Sequence, residues 1–303
     1  MVEGAAGPTL VLGGSGFLGA HVVLAAGTGV QVAGREPGPA GPASPAGFLR
    51  LDALVRGEVR RVLGGLGPAR IVLCTALSDL GLAERYPVLA RELNAWFPGE
   101  VAHWCARSGA RLVHVSTDLV FGGGDPGPGG FREDDPPAPL SEYGRSKAAG
   151  ESAVLGACPD ALVVRLPLLY GDSFGRGRGA SDGLLAAIER GERPTLFTDE
   201  WRTPLDVANA ARALVELAAG GERGILHVAG PDRVSRLELG RAVLRSRGLG
   251  EDEIAARTRA GTRREAGPES TRPRDVSLDA SRARLLLSTA LVPIRENLPP
   301  DAV

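Results

Sequence analysis

Thr9-Leu-Val-Leu12, running directly into Gly13-Gly-Ser-Gly16-Phe-Leu-Gly19, is the stretch that decides the fold. Four consecutive apolar residues without polar alternation suit a strand buried on both faces. The glycines that follow permit a tight turn and a close approach of the backbone to a phosphate. The apolar run over 17–26 then opens a helix whose N-terminus would meet that phosphate with free amide hydrogens. A glycine pattern alone says little in a chain holding 43 glycines. Its position between the first strand and the first helix is what carries the reading, and it makes Gly13, Gly16, Phe17, Leu18 and Gly19 the expected contacts of a dinucleotide pyrophosphate.

Outward from this turn, short apolar runs at 30–33, 71–74, 112–115 and 162–164 alternate with helical patterns at 58–63, 87–108 and 143–155. Continuous apolar strands separated by helices predict an α/β, doubly wound (Rossmann) parallel sheet covered on both faces. Beyond Arg165 the pattern loosens. A Gly/Arg-rich segment at 171–183 precedes helical patterns at 184–190 and 207–219 and a strand at 224–228, and Ser235 with Glu238 forms a capping-box signature for a helix to about 247. We therefore expect residues 1–165 to form the NAD(P)-binding domain, completed by about 205–230, with 166–204 and 231–303 forming a smaller C-terminal substrate-binding lobe. The Pro/Gly-rich stretches 37–47 and 122–139 are too poor in apolar residues for a core and read as surface loops, the second as a mobile one.

The second strand ends in Gly34-Arg35, where an acidic residue would hold the ribose 2′-hydroxyl of NAD. An arginine suits the 2′-phosphate instead, so NADPH is the expected cofactor, with NADH as the alternative. Asp52 is a candidate acceptor for the adenine amino group or a helix cap.

Lys147 is the only lysine among 303 residues, against 34 arginines, and it stands four positions after Tyr143. That spacing places both on one helix face. A compact cation beside a phenol favours the phenolate, so the expectation is a Tyr143 with a lowered pKa, useful as a general acid. Thr117, at the end of the strand Val115-Ser-Thr117-Asp118, would sit at the crevice beside the strand ends, where its hydroxyl can reach a substrate carbonyl.

Together these residues resemble the extended short-chain dehydrogenase/reductase superfamily, and within it the dTDP-4-dehydrorhamnose reductase family. The resemblance extends through Ala76-Leu-Ser-Asp-Leu-Gly-Leu-Ala-Glu84, Ser116-Thr-Asp-Leu-Val-Phe-Gly122, Tyr143-Gly-Arg-Ser-Lys147, Arg202-Thr-Pro-Leu-Asp206 and Arg272-Pro-Arg-Asp-Val-Ser-Leu278. It implies catalytic roles for Thr117, Tyr143 and Lys147. It also implies Ala76 and Asn94 at the cofactor, with Asn94 as a polar support behind the lysine, Ser78 and Asp118 lining a sugar pocket, and Arg202 and Arg272 on a diphosphate. The implied reaction is NADPH-dependent reduction of the 4-keto group of a nucleotide-linked deoxysugar. Leu119 after Asp118 removes the acid of the related dehydratases. Leu168, in Arg165-Leu-Pro-Leu-Leu-Tyr170-Gly171, stands where the family carries a tryptophan. Two other functions come with the resemblance: a non-catalytic dinucleotide-binding regulatory subunit of methionine adenosyltransferase, and a nucleotide-sugar epimerase.

Composition narrows the remaining classes. Net charge is −1 with acids and bases interspersed, which excludes the basic stripe of a nucleic-acid binder. No apolar run approaches the ~18 residues of a membrane span, and the N-terminus lacks the basic and apolar regions of a signal peptide. Cys74, Cys105 and Cys158 show neither metal-type spacing nor an even disulfide set, so no metal site is expected and a reducing cytoplasm is. His21, His103, His114 and His227 are dispersed and read as core or surface residues. A homodimer is the assembly allowed for.

Overall fold

A computed structural model of the chain describes residues 7–37, 47–122, 124–175, 177–267 and 271–298. Most of the 37–47 loop lies outside the described residues. The central sheet is built from β1 (Thr9–Leu12), β2 (Val30–Gly34), β3 (Phe48–Arg50), β4 (Arg70–Leu73), β5 (Arg111–Thr117), β6 (Leu162–Leu166) and a last strand, Gly224–His227. From one edge the order is Gly224–His227, β6, β5, β4, β1, β2, β3, and each neighbouring pair is parallel. The direction of winding therefore reverses between β1 and β4. At such a switch point the strand ends splay apart and leave a crevice for a ligand.

Helices cover both faces, as the unbroken apolar strands require. On one side α1 (Phe17–Ala26) and the helix Val207–Ala219 pack Val22, Val23, Ala210 and Leu214 against Val11, Val72, Val113 and Val164. On the other, α2 (Glu58–Leu66), α5 (Phe97–Ser108) and α6 (Glu142–Ala157) bring Leu63, Phe97, Val101 and Val154 onto Leu10, Leu12, Ile71 and Leu112. Two short helices, α3 (Leu80–Arg85) and α4 (Pro87–Arg91), lead into α5 through a π-helical turn, Glu92–Trp96. A separate cluster of Tyr170, Leu184, Leu196, Leu239, Val243 and Ile254 forms the core of the smaller lobe. Ser235 and Glu238 there form the reciprocal capping box and start the helix Arg236–Arg245.

Segment 122–139 departs from expectation. Its apolar exception, Phe131, stacks on Phe121 with ring centroids 4.2 Å apart, donates its amide to Ser277 O and accepts from Asp279 N, so the segment is fastened to the lobe. Beneath α6, Glu151 grips two strands at once. Its carboxylate accepts from Ser116 Oγ at 2.5 Å and takes both Nε and Nη2 of Arg165, at 2.9 and 2.8 Å. Both partners of this ion pair are buried, and removing either would strand a charge at a cost of about 3–5 kcal/mol.

Candidate active site

The glycine turn adopts the geometry that its composition calls for. Gly13 has φ +83°, and a Cβ there would press on the Thr75 backbone. A Cβ on Gly19 would overlap the Gly13 carbonyl oxygen, so only glycine lets α1 rise this close to the turn. From Gly16 and Phe17 a cavity of about 990 Å³ extends past Ala76 and Ser78 to Thr117 and Tyr143, and reaches Leu168 and Arg236 in the smaller lobe. One cavity thus joins the phosphate-type turn at β1 to the hydroxyls at the end of β5.

Tyr143 and Lys147 are carried by α6, whose first turn is capped by Ser141 Oγ accepting from Gly144 N at 3.0 Å. The helix is seated directly on backbone at two places. A Cβ at Gly144 would overlap the Leu119 carbonyl oxygen, and one at Gly150 would overlap that of Asn94. The first contact holds α6 against the 3₁₀ turn Asp118–Val120 that follows Thr117, and the second against the π-helical turn. Both catalytic candidates on the helix are therefore set relative to Thr117 by main-chain contact.

The electrostatics differ from the simple expectation. Burial pushes the Tyr143 phenol up to about 12, with its hydrogen bond to Thr117 acting in the opposite direction; Lys147 does not lower it. The lysine is 1% exposed and burial lowers it to about 8. Its Nζ donates to Val115 O at 2.6 Å and lies 3.4 Å from His114 Nε2. At neutral pH the arrangement is a protonated phenol beside a buried ammonium.

Asn94 is fully buried but does not reach the lysine. Its Oδ1 accepts from Leu77 N at 2.8 Å, and its Nδ2 donates to Leu77 O and to Ser146 Oγ at 3.1 and 2.9 Å. Its work is to hold the 76–78 segment that walls the cavity. Ala76 and Ser78 line the cavity, as does Thr117, whereas Asp118 lies behind the wall. Asp118 is raised to about 6 by burial, opposed by Arg202, whose Nε lies 3.6 Å away. Arg202 also pairs with Glu200 at 3.1 Å, and Arg272 reaches the same carboxylate at 3.2 Å. Asp52 forms a local turn by accepting from Leu54 N, and Arg35 stands exposed at the end of β2 beside Glu36.

Sequence reasoning missed two members of this group. Glu200 is the buried hub on which Arg202, Arg272 and, at 3.9 Å, Arg236 converge. Arg236 lines the cavity, and its Nη1 is buried without a hydrogen-bond partner among the described residues. Its signal was available in the capping box, which fixes residue 236 as the first of the helix, but nothing in the sequence singles out one arginine among 34.

The family model described as RmlD substrate binding domain matches residues 8–300. The dTDP-4-dehydrorhamnose reductase of Mycobacterium tuberculosis is 40% identical over 189 residues, covering 61% of this chain and 61% of that protein. Methionine adenosyltransferase 2 subunit beta of Danio rerio is 32% identical over 260 residues, covering 82% of this chain and 76% of that protein. In fold, the crystal structure of dTDP-4-dehydrorhamnose reductase from Bacillus anthracis in complex with NADP superposes with a TM-score of 0.79 over 97% of this chain and 98% of that one, at 23% identity. On these grounds the chain belongs to the RmlD substrate binding domain family, the dTDP-4-dehydrorhamnose reductase family of the extended short-chain dehydrogenase/reductase superfamily.

Proposed function

We propose that the protein reduces the 4-keto group of a nucleotide-linked deoxysugar, using NADPH, with NADH as the alternative donor. The observation that carries this reading is the single cavity that joins Gly16 and Phe17 to Thr117 and Tyr143. The glycine turn, with Gly13 at positive φ and no Cβ at Gly19, suits a dinucleotide pyrophosphate. Gly13, Gly16, Phe17, Leu18 and Gly19 would hold it, Arg35 the 2′-phosphate, Asp52 the adenine, and Ala76 and Lys147 the nicotinamide half. The bound nicotinamide supplies the hydride. Thr117 Oγ1, which here donates to Asp118 Oδ1 at 3.1 Å, would turn that hydrogen to the substrate carbonyl oxygen, and Tyr143 would transfer its phenolic proton to the alkoxide that forms there. A phenol near 12 is fully protonated at neutral pH and so is always loaded for that step. Ser78 would touch the sugar, and Arg202, Arg236 and Arg272, gathered on Glu200, would face the diphosphate. Residues 1–165 with about 205–230 would be the cofactor-binding domain, and 166–204 with 231–303 the substrate-binding lobe.

Incubation with a panel of nucleotide 4-ketosugars, following loss of reduced-nicotinamide absorbance, tests the reaction; no turnover with any of them would overturn it. Two variants test the binding roles. Arg35→Ala is expected to raise KM for NADPH by about tenfold and leave that for NADH unchanged, the loss of one charge-assisted contact. Arg236→Leu is expected to raise the sugar-nucleotide KM by ~10-fold or more with little change in kcat, because a group that binds a remote diphosphate contributes equally to ground and transition states.

A second reading, a dinucleotide-binding regulatory subunit, is supported by the Danio rerio relative's 82% coverage of this chain. Retention of Thr117, Tyr143 and Lys147 favours the enzyme, and altered kinetics of a methionine adenosyltransferase on mixing would favour the subunit. A cytoplasmic location is consistent with the absence, among the described residues, of any helix long and apolar enough to cross a membrane. The exposed Leu82, Tyr86 and Val88 support a homodimer, which light scattering would register.

A further inference from the structure

His114 is fully buried in the middle of β5, between Val113 and Val115. Its imidazole makes one polar contact, Nε2 to Lys147 Nζ at 3.4 Å, and its Nδ1 has no hydrogen-bond partner among the described residues. Burying a ring with one nitrogen unsatisfied costs about 1–3 kcal/mol, so packing does not account for it. Lys147 is the neighbour that gains. An ammonium has three donors and no acceptor. Val115 O takes one hydrogen and His114 Nε2 a second, which leaves one for a ligand. Asn94, to which the lysine-supporting role first pointed, gives both amide hydrogens to Leu77 O and Ser146 Oγ, accepts from Leu77 N, and makes no hydrogen bond to Lys147 among the described residues.

We propose that His114 is the positioning residue for Lys147: its neutral imidazole accepts from the ammonium and, with the Val115 carbonyl, leaves the third N–H for the cofactor ribose. The ligand named here rests on the reductase reading above. His114 stays neutral because burial and the adjacent ammonium both push its pKa well below the ordinary value. The other groups facing Lys147 leave this role open. On α6, Tyr143 is a protonated phenol, and Glu151 favours the ammonium through its charge but gives its hydrogen-bonding oxygens to Arg165 of β6 and Ser116 of β5. After β4, the Cys74 thiol is pushed up to about 12 by burial and stays neutral.

The single lysine makes the test direct. Protein grown with lysine isotope-labelled at the side-chain nitrogen gives one side-chain ammonium resonance, whose pH titration reports Lys147 alone. The parental midpoint is expected near 8. In His114→Phe, or His114→Leu if the larger ring prevents folding, loss of the acceptor is expected to lower that midpoint by about one unit. NADPH affinity and kcat should each fall by about tenfold, the equivalent of one lost hydrogen bond to a charged group. His114→Gln, whose amide oxygen can accept in place of Nε2, should restore both. A folded His114→Phe or His114→Leu with an unshifted resonance and parental NADPH affinity overturns the proposal. The resonance is read without turnover, so inactivity toward every ketosugar would count against the reductase reading and leave this result standing.

Discussion

Lys147→Met is expected to cut reduction sharply, because the ammonium that would hold the cofactor ribose is lost, and to make the protein harder to unfold at neutral pH. The stability effect comes from burial. Burial holds the ammonium at about 8 rather than its ordinary 10.5, a difference equivalent to about 3 kcal/mol. A lysine whose folded pKa lies below its unfolded value opposes folding whenever it must be protonated. The penalty is full below about pH 8, shrinks as pH rises, and is gone above 10.5. Methionine fills the same space without charge, so a gain of ~1–3 kcal/mol is expected at pH 7, after allowing for the lost bonds to Val115 O and His114 Nε2. Thermal denaturation at pH 7 and pH 10 measures both the gain and its disappearance. Turnover should fall by at least about 100-fold. Lys147→Arg, which keeps the charge but lacks the compact head, should be as inactive with no gain in stability. A Tm at pH 7 below the parental value would refute the account of the lysine as a strained cation.

Gly150→Ala should be among the most damaging single methyl groups that can be added to this chain. The new Cβ would overlap the Asn94 carbonyl oxygen, which belongs to a main chain held by hydrogen bonds from Asn94 to Leu77 and Ser146. Neither side can yield without shifting α6 or the π-helical turn, and a cost of about 3 kcal/mol or more follows. Any variant that still folds should lose kcat rather than substrate affinity, since the displaced helix carries Tyr143 and Lys147 while the arginines on Glu200 lie in the other lobe. Denaturant unfolding gives the first number and steady-state kinetics the second. Gly156→Ala, on the same helix with open space around it, is the control expected to be neutral or slightly stabilising.

Much of this architecture could be read from residue patterns because the patterns obey short-range rules. The run 9–12, the glycines after it and the helix 17–26 were legible from apolar continuity and from backbone angles that favour glycine. The start of the helix at 236 was legible from the pairing of Ser235 with Glu238. What escaped depends on contacts far apart in the chain. No local pattern shows that Asp118 turns to Arg202 rather than to the cavity, or that Asn94 spends its amide on Leu77 and Ser146. Phe131 was one apolar residue in a Pro/Gly-rich stretch, and only its stacking on Phe121 reveals an anchored segment. The expected lowering of the Tyr143 pKa failed for a related reason. Spacing put the cation on the same helix face, but the fold sends its ammonium to Val115 O and His114, and burial of the phenol sets the direction.

The seating of α6 on bare backbone also bears on how such a protein can change over generations. With the carbonyls of Leu119 and Asn94 directly beneath Gly144 and Gly150, the turns that carry the reacting groups have, at these two points, no side chain between helix and support to exchange. Variation that survives must fall elsewhere on the cavity wall, at positions such as Leu168, Leu169 and Ala180. A lineage built on this scaffold can diversify what it recognises far more readily than what it does, and its members should differ in their sugars long before they differ in their chemistry.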